Sequence, residues 1–150
     1  NWSDGGVSWN SNCEMLATDM SNVANTIITK YSAGLTRAKV ITGGVSYTSY
    51  ALLSNIAASN TLADTKGLLA TCGSTGSWQA QNFKIPIYNI NCAGNPEGDL
   101  HGQALINAIT NTTIKNNSGF FEDNSCSTHC GGDINTWSAK MIDRVKVWIP

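Results

Sequence analysis

Five cysteines, Cys13, Cys72, Cys92, Cys126 and Cys130, constrain what this chain can fold into more than any other feature. They are scattered along 150 residues, and no spacing among them makes the paired Cys-x-x-Cys module of a structural zinc site. Thiols so placed are expected to be cross-linked, which implies an oxidising compartment. Two bridges use four of them and leave one over, either as a free thiol or bonded to a second chain. The pairing stays open at this level, although Cys126 and Cys130 are too near in sequence to join without a sharp turn.

The rest of the composition agrees with an extracellular setting. Only 13% of residues are charged, against about 25% in an ordinary soluble domain, and Asn, Ser, Thr and Gly stand in their place. A net charge of -1 supplies no field to hold a phosphate backbone, so nucleic acid is not an expected partner. Three glycosylation sequons begin at Asn1, Asn111 and Asn116. No signal-peptide pattern is present, so any such peptide is expected to have been removed, and no apolar run reaches the roughly 20 residues that span a bilayer. A chain of this length is expected to form one domain, residues 1–150, around one core.

Periodicity then places the elements. Leu16, Met20, Val23, Ala24, Ile27, Ile28 and Tyr31 form one helical stripe, with Ser11 and Glu14 as a capping box and Gly34 as a stop, which predicts a first helix from about Asn12 to Ala33. Arg37–Thr42 has the β-branched content of a strand, and a short helix is expected near Ala51–Ala58, followed by irregular chain. Phe83–Ile90 alternates in part; Pro86 cannot donate to a ladder, so this strand is expected at an edge or with a bulge. Asn95-Pro96-Glu97 is a good helix start, predicting a second helix to about Thr110, with loop from Asn111 to Gly119. The alternation through Ala139–Ile149 predicts a closing strand. Together these give an α+β fold: an antiparallel sheet with two main helices packed on one face, stapled by disulfides.

Residues that carry chemistry are few. Glu97 and His101, four apart on the predicted second helix, could serve a divalent metal, but acids in the first turn of a helix ordinarily serve its dipole, so no metal site and no cofactor is expected. A carboxylate hydrolase site can be drawn from Glu97 or Asp99 with Glu122 or Asp123, His101 assisting. His129 lies between Cys126 and Cys130, which permits a Cys/His nucleophilic pair on paper, yet cysteines that form disulfides cannot act so. Of five tryptophans, Trp78 and Trp137 are the candidates for a binding surface.

Read in order, Asn12-Cys13 before a helix, Leu105-Ile106 in a second helix, Cys126-x-x-x-Cys130-Gly131-Gly132 and a closing Val145-Lys146-Val147-Trp148 give a sequence of elements. That order resembles the killer-protein-four and salt-mediated killer toxins of fungi. The resemblance implies a split β-α-β sandwich, secretion, and toxicity through membrane permeabilisation or channel block without an active site. The leading expectation is thus a secreted toxin or effector that binds a target-cell surface component or membrane. The alternatives are a secreted hydrolase of polysaccharide or peptidoglycan using the carboxylate/His residues, and a non-toxic adhesin.

Overall fold

Each short run of apolar and β-branched residues is separated from the next by a stretch long enough to hold helix, and that spacing decides the sheet. Hairpins need tight turns, whereas a chain that crosses a sheet through a helix returns parallel. The computed structural model describes residues 9–31, 34–94 and 100–150, with the side chains of 9–13 outside the description. Its strands are β1 (Ile41–Val45), β2 (Gly67–Thr71), β3 (Ile87–Cys92) and β4 (Gly119–Asp123), all parallel in the order β1-β2-β3-β4. The expected antiparallel sheet is therefore corrected to an all-parallel one.

Helix α1 (Trp9–Tyr31) precedes the sheet, α2 (Tyr47–Ala58) joins β1 to β2, and α3 (Ser77–Gln81) joins β2 to β3. The next crossover carries α4 (Gly102–Ala108) and α5 (Thr112–Asn117), and α6 (Ile134–Trp148) follows β4. A strand order without reversal, crossed each time in the same hand, stacks every crossover on one face. Leu68, Ala70 and Ile87 accordingly meet Leu52, Leu53 and Ile56 of α2 and Leu105 of α4 there. The opposite face, with Tyr88, Ile90 and Phe121, is covered by Trp137 and Trp148 of α6. Helices thus cover both faces instead of one, as a parallel sheet requires.

Three further expectations are corrected. The closing segment is helix α6 and not a strand: Trp137, Met141 and Trp148 recur at helical spacing and turn inward, and Asp133 caps the helix by accepting from the Thr136 N–H at 2.8 Å. This is also where the killer-toxin resemblance places its closing antiparallel strand. Pro86 stands just before β3, which lies inside the sheet between β2 and β4 and begins after the residue that could not donate. The stretch expected as loop after Asn111 holds α5, capped by the Asn111 side chain on the Ile114 N–H at 3.1 Å.

Two contacts fasten the end of the sheet where the strands begin. The Trp148 ring lies against Gly67, where a Cβ would stand 2.8 Å from the ring, and its indole donates to the Asn117 carbonyl at 2.8 Å. On the crossover side Arg37 donates to both carboxylate oxygens of Asp64, to the Ser21 hydroxyl and to the Thr61 carbonyl, tying α1 to the turn before β2.

Candidate functional site

All four strands point their carboxyl ends to one rim, and that is where open α/β sheets place ligands. β1 ends at Val45, the chain turns through the single residue Ser46, and α2 begins at Tyr47. Ser46 has φ 57° and ψ -123°, a conformation that L-residues other than glycine rarely adopt. The turn is tight enough to require Gly44, since a Cβ there would stand 2.8 Å from the Ser49 nitrogen and from the Thr48 carbonyl carbon. A strained serine at a strand-to-helix turn holds its hydroxyl out at the top of the sheet, beside the positive end of the helix that follows.

The other half of the site comes from the chain between β4 and α6. His129 reaches back across the rim, its Nε2 lying 2.8 Å from Ser46 Oγ. Two disulfides set this loop in place: Cys72–Cys130 joins the residue after β2 to the neighbour of His129, and Cys92–Cys126 joins the end of β3 to the loop's first turn. Cys72 and Cys130 both have positive φ, so the bridge spans two turned segments. At the loop's root Asp123 accepts from the Ser125 N–H and hydroxyl and from the buried Trp137 indole, bonds that hold its carboxyl below the usual carboxylate range. Asp133 at the far end is lowered likewise, by the Thr136 N–H and hydroxyl.

Ser46, His129, Tyr47, Tyr50, Cys72, Gly73 and Ser74 line a pocket of about 280 Å³ open to solvent. A hydroxyl and an imidazole within hydrogen-bond reach have the geometry in which one can act as nucleophile and the other as its general base, given the tautomer with Nδ1 protonated. The Tyr47 N–H heads α2 next to the nucleophile, which is where an oxyanion donor is required.

The residues singled out from sequence fall differently. Glu97 and Asp99 lie outside the described residues, as do Asn1 and the start of the expected second helix; the described part of that helix is α4. His101 Nδ1 stands 3.6 Å from Glu122 Oε1, on the crossover face near the rim. Glu122 and Asp123 are successive on β4 and turn to opposite faces, so they do not form one carboxylate pair. Trp78 is 58% exposed on α3, whereas Trp137 is 4% exposed inside the α6 layer. Asn111 and Asn116 are exposed on α5, by the strand starts and away from Ser46 and His129. Cys72, Cys92, Cys126 and Cys130 are the bridged cysteines; Cys13 is in the first turns of α1. Among the described residues no His/Cys/Asp/Glu cluster fit for a metal ion occurs, and no helix is long and apolar enough to cross a membrane.

Ser46 was not among the sequence candidates. Its only trace is Gly44-Val45-Ser46 between a β-branched run and an Ala/Leu-rich one, with Thr48 where the second glycine of the G-x-S-x-G pattern would stand. Comparison with known proteins finds no family model that matches the chain, and no curated protein matches it.

Proposed function

We propose that this protein is a serine hydrolase that cleaves acyl esters, with Ser46 as nucleophile and His129 as general base. The single observation that carries the reading is the 2.8 Å contact between His129 Nε2 and the hydroxyl of a serine held at φ 57° between a parallel strand and a helix. That is the strand-nucleophile-helix elbow of α/β-hydrolases. Nucleophile, acid and histidine follow one another along the chain in such sites. The acid is therefore sought between β3 and His129, where the sequence offers Glu97, Asp99, Glu122 and Asp123; Asp123 is engaged by Ser125 and Trp137 and Glu122 faces His101, which leaves Glu97 and Asp99. The chain enters that stretch from Gly94, whose N–H donates to the Cys126 carbonyl at 3.4 Å, and leaves it at Leu100, which pairs with Thr75 beside Ser74 of the pocket.

In the reaction the Ser46 oxygen attacks the ester carbonyl as its proton passes to His129 Nε2. The carbonyl oxygen takes the negative charge beside the Tyr47 N–H. Collapse breaks the bond to the alcohol, which departs with the proton from His129, leaving an acyl group on Ser46. Water, deprotonated by the same imidazole, then releases the acid. The pair is placed at the surface and not in a closed cavity, which favours substrates presented from solution or from an extended surface. The disulfides support action outside the cytosol, in keeping with the secretion expected from sequence.

The test uses p-nitrophenyl acetate and butyrate together with a fluorophosphonate probe. The native protein is expected to turn over the esters and to be labelled on Ser46. S46A and H129A are each expected to lower kcat/KM by at least about a thousandfold with folding retained. D99N and E97Q separate the two acids, the member of the site losing about as much as H129A and the other staying near native. Absence of labelling, or full activity in S46A, would falsify the reading.

A further inference from the structure

The sheet carries a second polar feature near the rim that the reaction as described does not use. Asn89 and Asn91 lie in the central strand β3, 0% and 1% exposed, on the face that packs against the crossover helices. Interior strand positions are ordinarily apolar, and Ile87, two residues earlier on the same face, is so. A buried amide adds little net stability even when satisfied, and among the described residues this pair is not fully satisfied: Asn91 Oδ1 has no hydrogen-bond partner there. Packing therefore does not account for it.

What the pair does hold is specific. Asn89 Nδ2 donates to the Gly73 carbonyl at 3.0 Å and to the Ala70 carbonyl at 3.1 Å, and Asn89 Oδ1 accepts from the Gly102 N–H at 2.7 Å. Asn91 Nδ2 donates to Asn89 Oδ1 at 2.7 Å, which fixes which way the Asn89 amide faces. A second, longer bond from Asn91 Nδ2 reaches the Gly73 carbonyl at 3.5 Å. Gly73 lines the pocket, packs so closely on Ser49 that any side chain would overlap it, and follows Cys72, which is bridged to the neighbour of His129.

We infer that Asn89 and Asn91 are positioning residues of the Ser46–His129 site, setting through Gly73 and the Cys72–Cys130 bridge where the imidazole stands over the serine. The inference rests on the serine-hydrolase reading. It assigns the amide pair to geometry at the rim instead of to stability: Asn91 orients Asn89, Asn89 pins Gly73, and the bridge carries that placement to the His129 loop. A displacement of about 1 Å in a general base is enough to lose activity about a hundredfold.

The experiment compares N89A and N91S with the native protein, with and without the C72A/C130A pair, reading kcat, KM, the rate of fluorophosphonate labelling and Tm. In the bridged protein, N89A is expected to lower kcat and the labelling rate by about ten to a hundredfold with KM within about twofold. N91S is expected to act in the same direction and more weakly. Without the bridge the N89A effect is expected to shrink to less than about threefold, since the route to His129 is cut. A variant that lowers Tm while kcat per active site, counted by titration of a parallel sample with the probe, stays native overturns the inference, and so does an equal effect with and without the bridge. Should N89A yield no folded protein, N91S decides by the same readouts, as it leaves the Asn89 bonds to Ala70 and Gly102 in place. A native protein without esterase activity defeats the hydrolase reading itself, whereas an active native protein with unaffected variants defeats only the role of the asparagines.

Discussion

The two ends of the sheet are built on opposite plans. Where the strands begin, Gly67 receives the Trp148 ring, the Asn117 carbonyl accepts from its indole N–H, and the Arg144 guanidinium lies 4.9 Å from the Tyr88 ring centre. Where they end, a serine is held in an unfavourable conformation, two cysteines have positive φ, and buried asparagines stand where aliphatics would pack. The first end gathers contacts that lower the energy of the fold; the second gathers features that raise it in return for placing a hydroxyl against an imidazole. The described non-glycine residues with positive φ, Ser46, Cys72 and Cys130, all stand at that rim, and strain gathered in one place is a mark of a functional site.

If that division is right, changes at the two ends have opposite signatures. The largest effect is expected for S46G, which removes the nucleophile and relieves the backbone: esterase activity falls at least about a thousandfold while thermal stability stays level or rises by about 1 kcal/mol. A marked loss of stability would show that the turn is not strained. At the other end W148A is expected to cost about 3 to 5 kcal/mol in a urea titration, with kcat per folded molecule unchanged. Activity falling faster than the folded fraction would erase the contrast.

The bridges provide a finer comparison. Removing Cys72–Cys130 as the double alanine variant is expected to lower both stability, by about 2 to 4 kcal/mol, and kcat in the remaining folded protein. Removing Cys92–Cys126 is expected to lower stability alone, because that bridge ends three residues short of His129. Equal kcat losses from the two would place His129 under general loop control. Smaller again, D133A is expected to lower the melting temperature slightly through loss of the α6 cap. Asp123 and Asp133 both have depressed folded-state pKa values, so their contribution is complete above the ordinary carboxylate value of 3.8 and is lost as pH falls below it. A native protein whose melting temperature did not fall through that acid range, or that D123N left equally acid-sensitive, would remove these carboxylates from the account.

How much of this was legible in the sequence depends on how local its cause is. Helix α1 follows from its apolar period, because a stripe of that length has few other uses. Val145-Lys146-Val147 alternates as a strand does, and the two tryptophans that settle α6 as a helix are eleven residues apart, too far for a short window to weigh. Parallel pairing is illegible for a different reason: strand direction is set by the crossovers, and β2 falls in a stretch that reads as irregular while α6 reads as a strand, so the regular alternation of strand and helix does not show. The cysteines announced their bridges but not their partners. Ser46 leaves only the half-pattern Gly44-Val45-Ser46, since one serine among many carries no composition signal and its backbone conformation exists only once Gly44 and α2 have packed. His129 is visible in the sequence, but its neighbours there are cysteines, whereas the hydroxyl it meets lies 83 residues earlier.

The bridge between Cys72 and Cys130 encloses most of the chain from the end of β2 to the loop before α6, a separation of 58 residues. A protease that nicks the polypeptide once anywhere between those cysteines would leave the two fragments covalently tethered. The clipped molecule would migrate as one band until a reductant is added, and Ser46 and His129 would remain leashed to each other after the cut.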